Sequence, residues 1–140
     1  MGYSSEQLAK SGSEHGEQAA LVCWAKSLKN QHPELDLLFA IPNGGDRDRI
    51  TAGKLKAEGV KAGVFDLMLP VPRKGYHGLW IEMKRVNGGV VSKEQKSWGR
   101  NMVAQGYQAF ICYGWLEAKS AICNYLGITG EYNKPPYYDV

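Results

Sequence analysis

The stretch GLWIEMKR, residues 78 to 85, sets a carboxylate and an ammonium into a run otherwise suited to a core. Leu79, Trp80, Ile81 and Met83 are bulky and apolar, yet Glu82 and Lys84 stand among them, one residue apart. In a strand, residues i and i+2 share a face, so Glu82 and Lys84 point one way and Ile81 and Met83 the other. Taken alone, this is also the pattern of a half-exposed strand with a solvated charged face. Asp66 shifts the balance: in GVFDLML it has apolar neighbours on both sides. An ionised carboxylate in such surroundings is costly unless it is paired or bound to a metal. If Asp66 and Glu82 fall close together, they repel unless a cation sits between them. Lys84 supplies one such cation as a structural ion pair; a hard divalent ion held by oxygen ligands is the other solution.

Bringing these groups together requires a particular order of elements. SGSEHGEQAALVCWAKSLKNQ reads as a first helix, with Ser11 or Ser13 as N-cap and His32-Pro33 closing it. LDLLFAIPN is expected as a first strand, ending in a Pro42-Asn43-Gly44-Gly45 loop. ITAGKLKAEG reads as a short helix, GVFDLMLPVP as a second strand and LWIEMKR as a third. The short RKGYHG link makes strands two and three an antiparallel pair, which places Asp66 near Glu82. SKEQKSWGRNMVAQG is a helix, QAFICYG a fourth strand and WLEAKSAICNYLG a last helix. The return from strand three to strand four through a helix is a crossover, expected to be parallel and right-handed. The expected fold class is therefore α/β, an αβββαβ core in which a small mixed sheet is flanked by helices. It forms one domain over residues 1–140, with a core of about 14–126 and an irregular tail at 127–140.

Several polar residues remain to be explained. Glu17 lies one turn before Ala20 and Leu21, on the apolar side of the first helix, an unusual place for a glutamate. Ser92-x-x-Gln95 is a capping box, in which the glutamine side chain satisfies the N-cap amide. Asn43 belongs foremost to a turn, and His77, beside a turn glycine, reads as a surface residue. Cys23, Cys112 and Cys123 are odd in number and lack CxxC spacing, which fits reduced, packed thiols rather than a zinc site or a disulfide framework. No apolar run is long enough to cross a bilayer, and the first residues lack the apolar region of a secretory signal, so a cytoplasmic protein is expected.

The net charge of +3 is unevenly spread. From Asp46 to Arg100 the chain holds 12 of its 17 Lys and Arg but only 6 of its 14 Asp and Glu, a local balance of +6. Such a segment suits a polyanion, because phosphate binding releases counterions. Arg47, Arg49, Lys54, Lys56 and Lys61 flank the carboxylates from one side, and Arg85, Lys93, Lys96 and Arg100 from the other. They are candidates for phosphate contacts, which position a duplex without reading its sequence.

Asp66 and Glu82-x-Lys84 resemble the core of the PD-(D/E)xK nuclease superfamily. Together with Glu17, IPNGG, GVKAGVFDLMLP, GLWIEMKR and VSKEQKSW, they resemble in particular its VRR-NUC family, over roughly residues 14 to 126. The resemblance implies a restriction-endonuclease-like fold. It implies Asp66 and Glu82 as ligands of Mg²⁺ or Mn²⁺, with the backbone carbonyl of Met83, and Lys84 as the group that positions a water and steadies charge on the phosphate. Glu17 would complete the shell or support a second ion, and Gln95 would lie near it. Small VRR-NUC proteins of phages and bacteria are associated with homodimers and four-way (Holliday) junctions, and the Fanconi-associated domain with flaps. The expectation is a structure-specific DNA endonuclease acting on branched DNA as a homodimer, with Trp115 and Leu116 either at the dimer surface or in the core. The rivals are a non-catalytic junction-binding module, a sequence-specific nuclease, and a purely structural ion pair at Asp66, Glu82 and Lys84.

Overall fold

A computed structural model describes residues 2–42 and 49–129, together with the backbone of 138–139. The chain opens with a helix that the pattern of apolar residues does not announce, α1 (Ser5–Ala9). Its signal is a capping box: the Ser4 side chain accepts from the Gln7 amide while the Gln7 side chain accepts from that of Ser4. Helix α2 (Glu14–Ser27) is capped by Ser13, whose hydroxyl accepts from the Gly16 N–H at 3.0 Å. It ends before the expected stop at His32-Pro33. Ala20, Leu21, Trp24 and Ala25 form its buried face.

The segment expected as a first strand divides in two. Pro33–Leu37 is a 3-10 turn, with Pro33 at its start and only Leu35 buried, and strand β1 is reduced to Phe39–Ala40. Proline presets the helical φ at the first position, and the turn swings Leu35 into the core, so the local preference wins over an extended run. Helix α3 (Arg49–Ala57) buries none of its residues. Strand β2 is also shorter than expected, Leu67–Leu69, and β3 spans Leu79–Lys84. They pair antiparallel, Leu67 opposite Ile81 and Leu69 opposite Leu79.

Helix α4 (Lys93–Ala104) carries the chain to β4 (Gln108–Tyr113), which runs parallel to β3. Helix α5 (Trp115–Leu126) follows. The C-terminal segment, expected to be irregular throughout, returns to the sheet: β5 (Tyr138–Asp139) pairs antiparallel with β4. A peripheral pairing of two residues leaves no periodicity to read. Among the described residues the sheet thus has five strands, in the order β1-β2-β3-β4-β5.

The sheet separates two apolar layers. Leu67, Leu69, Leu79, Ile81, Met83 and Cys112 pack against α2 and α5 in the larger one. Phe65, Ala109 and Ile111, with Trp80 and Trp98, form the smaller one beside α4. The alternation along β3 is what sends Ile81 and Met83 into the first layer and leaves Glu82 and Lys84 for the second side. Among the described residues no helix is long and apolar enough to cross a membrane.

Candidate active site

The register that sets Leu67 opposite Ile81 carries Asp66 to a position opposite Glu82, one step beyond the ladder. Pairing stops there because the aspartate side chain replaces the strand: Asp66 Oδ2 accepts the Met83 N–H at 2.9 Å. The backbone carbonyl of Asp66 still accepts from the Ile41 N–H, at 2.8 Å, which ties the bend to the residue after β1.

Glu82 is only 1% exposed. Its Oε2 accepts from the Gln95 amide at 2.7 Å and lies 3.2 Å from Lys84 Nζ. Its Oε1 is buried and has no hydrogen-bond partner among the described residues. Burial, and then the neighbouring charge of Asp66, push the Glu82 carboxyl up to about 8, only partly opposed by Lys84. Asp66 is raised as well, chiefly by burial, against the pull of the Met83 amide. Both shifts report carboxylates held where water cannot solvate them.

A third carboxylate joins them from α2, and it is Glu14. One oxygen each from Glu14, Asp66 and Glu82 can be chosen so that all lie within 4.8 Å of one another. Glu14 Oε1 also lies 4.0 Å from Lys84 Nζ. Glu17, the helix glutamate singled out in the sequence, is buried as its place on the apolar side suggests, but the geometry spends it elsewhere. Its Oε1 accepts the Trp115 N–H at 2.8 Å, at the start of α5. Gly114, the N-cap of that helix, has no side chain to do so and adopts φ 95, and a Cβ there would stand 3.3 Å from that same Glu17 oxygen. An apolar-stripe argument selects the most buried glutamate. The one that reaches the pair is instead the first residue after the Ser13 cap, and no apolar periodicity marks it.

Gln95 is the capping residue expected, and it also touches Glu82. Its Oε1 accepts from the Ser92 amide at 2.9 Å, completing the capping box of α4, while its Nε2 reaches Glu82. The Met83 backbone lies between Glu82 and Lys84, and its side chain is fully buried in the larger apolar layer. The basic candidates Arg49, Lys54, Lys56, Lys61, Arg85, Lys93, Lys96 and Arg100 are exposed, the first three on α3 and the last three on α4. Arg85 donates to the Gly88 carbonyl at 3.2 Å. Asn43 and Arg47 lie outside the described residues. His77 is exposed beside Tyr107. Of the two residues considered for a dimer surface, Trp115 is buried, with Lys119 Nζ 5.8 Å from its ring, and Leu116 is exposed.

Three carboxylates against one ammonium leave a formal charge of −2 among Glu14, Asp66, Glu82 and Lys84 when all are ionised. The donors are all oxygen, and one of them is an orphaned buried atom. That set fits a hard divalent cation.

A nuclease-type fold is what this arrangement of helices, mixed sheet and acidic site defines. The VRR-NUC domain model matches residues 3–115, and the chain belongs to that family, whose members are generally nucleases. It is similar to a solved VRR_NUC domain protein at 29% identity, over 86% of this chain and 93% of that one, with a TM-score of 0.71. No curated protein matches the chain.

Proposed function

We propose that this protein is a divalent-metal-dependent endodeoxyribonuclease that cuts branched DNA, such as four-way junctions, as a homodimer in the reducing interior of a bacterial or phage-infected cell. The observation that carries the reading is Glu82: a buried carboxylate with one oxygen held by Gln95 and Lys84 and the other without a hydrogen-bond partner among the described residues. Asp66, Glu82 and Glu14 are the side chains proposed to hold the ion, with the Met83 carbonyl between the two motif residues, while Glu17 holds the start of α5. A bound Mg²⁺ or Mn²⁺ supplies Lewis-acid polarisation of a phosphate oxygen and acidifies a water at neutral pH.

The chain's own groups supply the rest. Asp66 is oriented by the Met83 amide and Glu82 by Gln95, so neither carboxylate must reorganise when substrate arrives. Lys84, buried at 6% exposure beside Glu82, presents an ammonium to the charge that grows on the phosphate. Arg49, Lys54, Lys61, Arg85, Lys93 and Lys96 are proposed to bind the flanking phosphates, with Asn43 and Arg47 from the adjoining loop. The family supports DNA as substrate. One site makes one cut, so paired cuts across a junction call for two copies.

The test is cleavage of a labelled four-way junction, a flap and a linear duplex in Mg²⁺, Mn²⁺ or EDTA, comparing wild type with Lys84→Ala. The expected result is metal-dependent cutting, with paired symmetric nicks in the junction, reduced by a factor of at least about a hundred in the variant. Binding without cutting in every metal would leave a junction-binding module instead. Equal cutting of all three substrates would remove the preference for branches.

A further inference from the structure

Trp98 stands one turn beyond Gln95 on α4 and forms a wall of two grooves. The first, of about 510 Å³, is lined by Trp98 together with Ile41, Pro42, Val60, Val64 and Lys61. The second, of about 470 Å³, is bordered by Lys93 and Arg100. Trp80 holds the indole edge-to-face, with ring centres 5.3 Å apart and planes at 83°, and Trp98 remains half-buried rather than enclosed. The wall opposite is held close to α4. At Gly63, which adopts φ 89, a Cβ would stand 2.4 Å from the carbonyl carbon of Glu94, so the 59–64 segment is pressed onto the first turn of the helix. A larger residue there would drive the two walls apart.

We propose that the Trp98 groove seats an unpaired nucleobase of the DNA substrate, one or two nucleotides from the phosphate that is cut. This rests on the nuclease reading and names the feature of branched DNA that the site reads. The apolar walls and the indole match the faces of a base, and stacking on an aromatic side chain is indifferent to sequence. Glu58, also in the groove, accepts from an exocyclic amine, and Lys61 donates to a carbonyl or a phosphate. Lys61 in this groove and Lys93 and Arg100 in the second are the cations available to the phosphates on either side of the seated base. The distance also fits. Residues three apart on a helix have side chains roughly 5–6 Å apart, and Trp98 is three residues from the glutamine that touches Glu82. Val64 is two residues from Asp66. A fully paired duplex has no base to offer, so the groove separates branch points, where pairing is interrupted, from continuous helix.

The test compares two substrates that differ only in one unpaired nucleotide beside the cutting position, which carries a base in one and is abasic in the other. Wild type is expected to cut the base-bearing strand with about tenfold higher kcat/KM. Trp98→Ala should abolish that difference, and Trp98→Phe, which keeps an aromatic face and fills the layer under α4, should restore it. Equal cutting of the two substrates by wild type overturns the proposal while leaving the nuclease intact. A second readout needs no turnover: 5-iodouracil at the unpaired position is photocrosslinked to wild type in Ca²⁺ and the attached peptide mapped. Attachment at Trp98 supports the proposal even if no metal supports cutting, which would fell the nuclease reading alone. Attachment elsewhere, or no more than a fully paired control gives, overturns it and leaves the groove to another occupant.

Discussion

At the scale of the residue, the site turns on how one carboxylate is divided between its two oxygens. Glu82 gives Oε2 to Gln95 and Lys84 and keeps Oε1 without a hydrogen-bond partner among the described residues, an arrangement a structural ion pair alone does not require. The two glutamates of α2 illustrate how close neighbours acquire different work. Glu14 is exposed and meets Asp66 and Glu82; Glu17 is buried and receives the Trp115 amide. Their replacements should therefore separate. Glu14→Gln is expected to unfold within about 0.5 kcal/mol of wild type, as surface changes do, yet to weaken Mn²⁺ binding and cutting at least about tenfold. Glu17→Ala removes a helix-terminal acceptor and should cost about 1–2 kcal/mol of stability, with metal affinity in the folded protein changed far less. Calorimetry and Mn²⁺ titration of both variants check this; loss of Mn²⁺ binding in Glu17→Ala with stability intact would return the ligand role to Glu17.

At the scale of the element, α4 is coupled to the site through its first turn. The glutamine that closes its capping box also orients Glu82, so the helix start and the buried carboxylate share one side chain. The two duties are separable by substitution. Gln95→Glu retains an oxygen for the Ser92 amide but offers a carboxylate where Glu82 needs a donor. It should keep the cap, lower the melting temperature chiefly at pH values where Glu82 is ionised, and lower kcat at least about tenfold. Gln95→Ala should lose both, with a stability cost of about 1 kcal/mol. Wild-type kcat in Gln95→Glu would reduce the residue to a cap. The serine–glutamine spacing made this cap legible in advance, because a capping box is local. That its amide reaches Glu82, 13 residues away in the chain, follows only from α4 crossing behind the sheet between β3 and β4.

At the scale of the whole molecule, folding concentrates carboxylates that repel one another and must be neutralised. Glu82 sits at about 8 in the metal-free fold against 4.5 in the open chain, so the folded state binds its proton more tightly. The sign follows: the stability from that proton is present in full below about 4.5 and is lost as the pH rises through about 8. Asp66 is displaced in the same direction. In EDTA the melting temperature should therefore fall between about pH 5.5 and about pH 8.5, and Mn²⁺ should raise it more at the higher pH, where no proton competes. Glu82→Gln should flatten the metal-free slope; an unchanged slope would mean that other groups set it. The sequence by itself determined the order of elements from α2 to α5, the antiparallel and parallel pairings around β3, and the shared face of Glu82 and Lys84, since periodicity and link length are local properties of the chain. It also carried the family, through Asp66, Glu82-x-Lys84 and the motifs around them. Tertiary structure alone decided which helix glutamate meets Asp66 and Glu82, where β1 and β2 stop, and that residues 138–139 return to β4. Those outcomes depend on how packed layers orient a helix end or a sheet edge relative to residues far away in the chain, and no local pattern encodes that orientation.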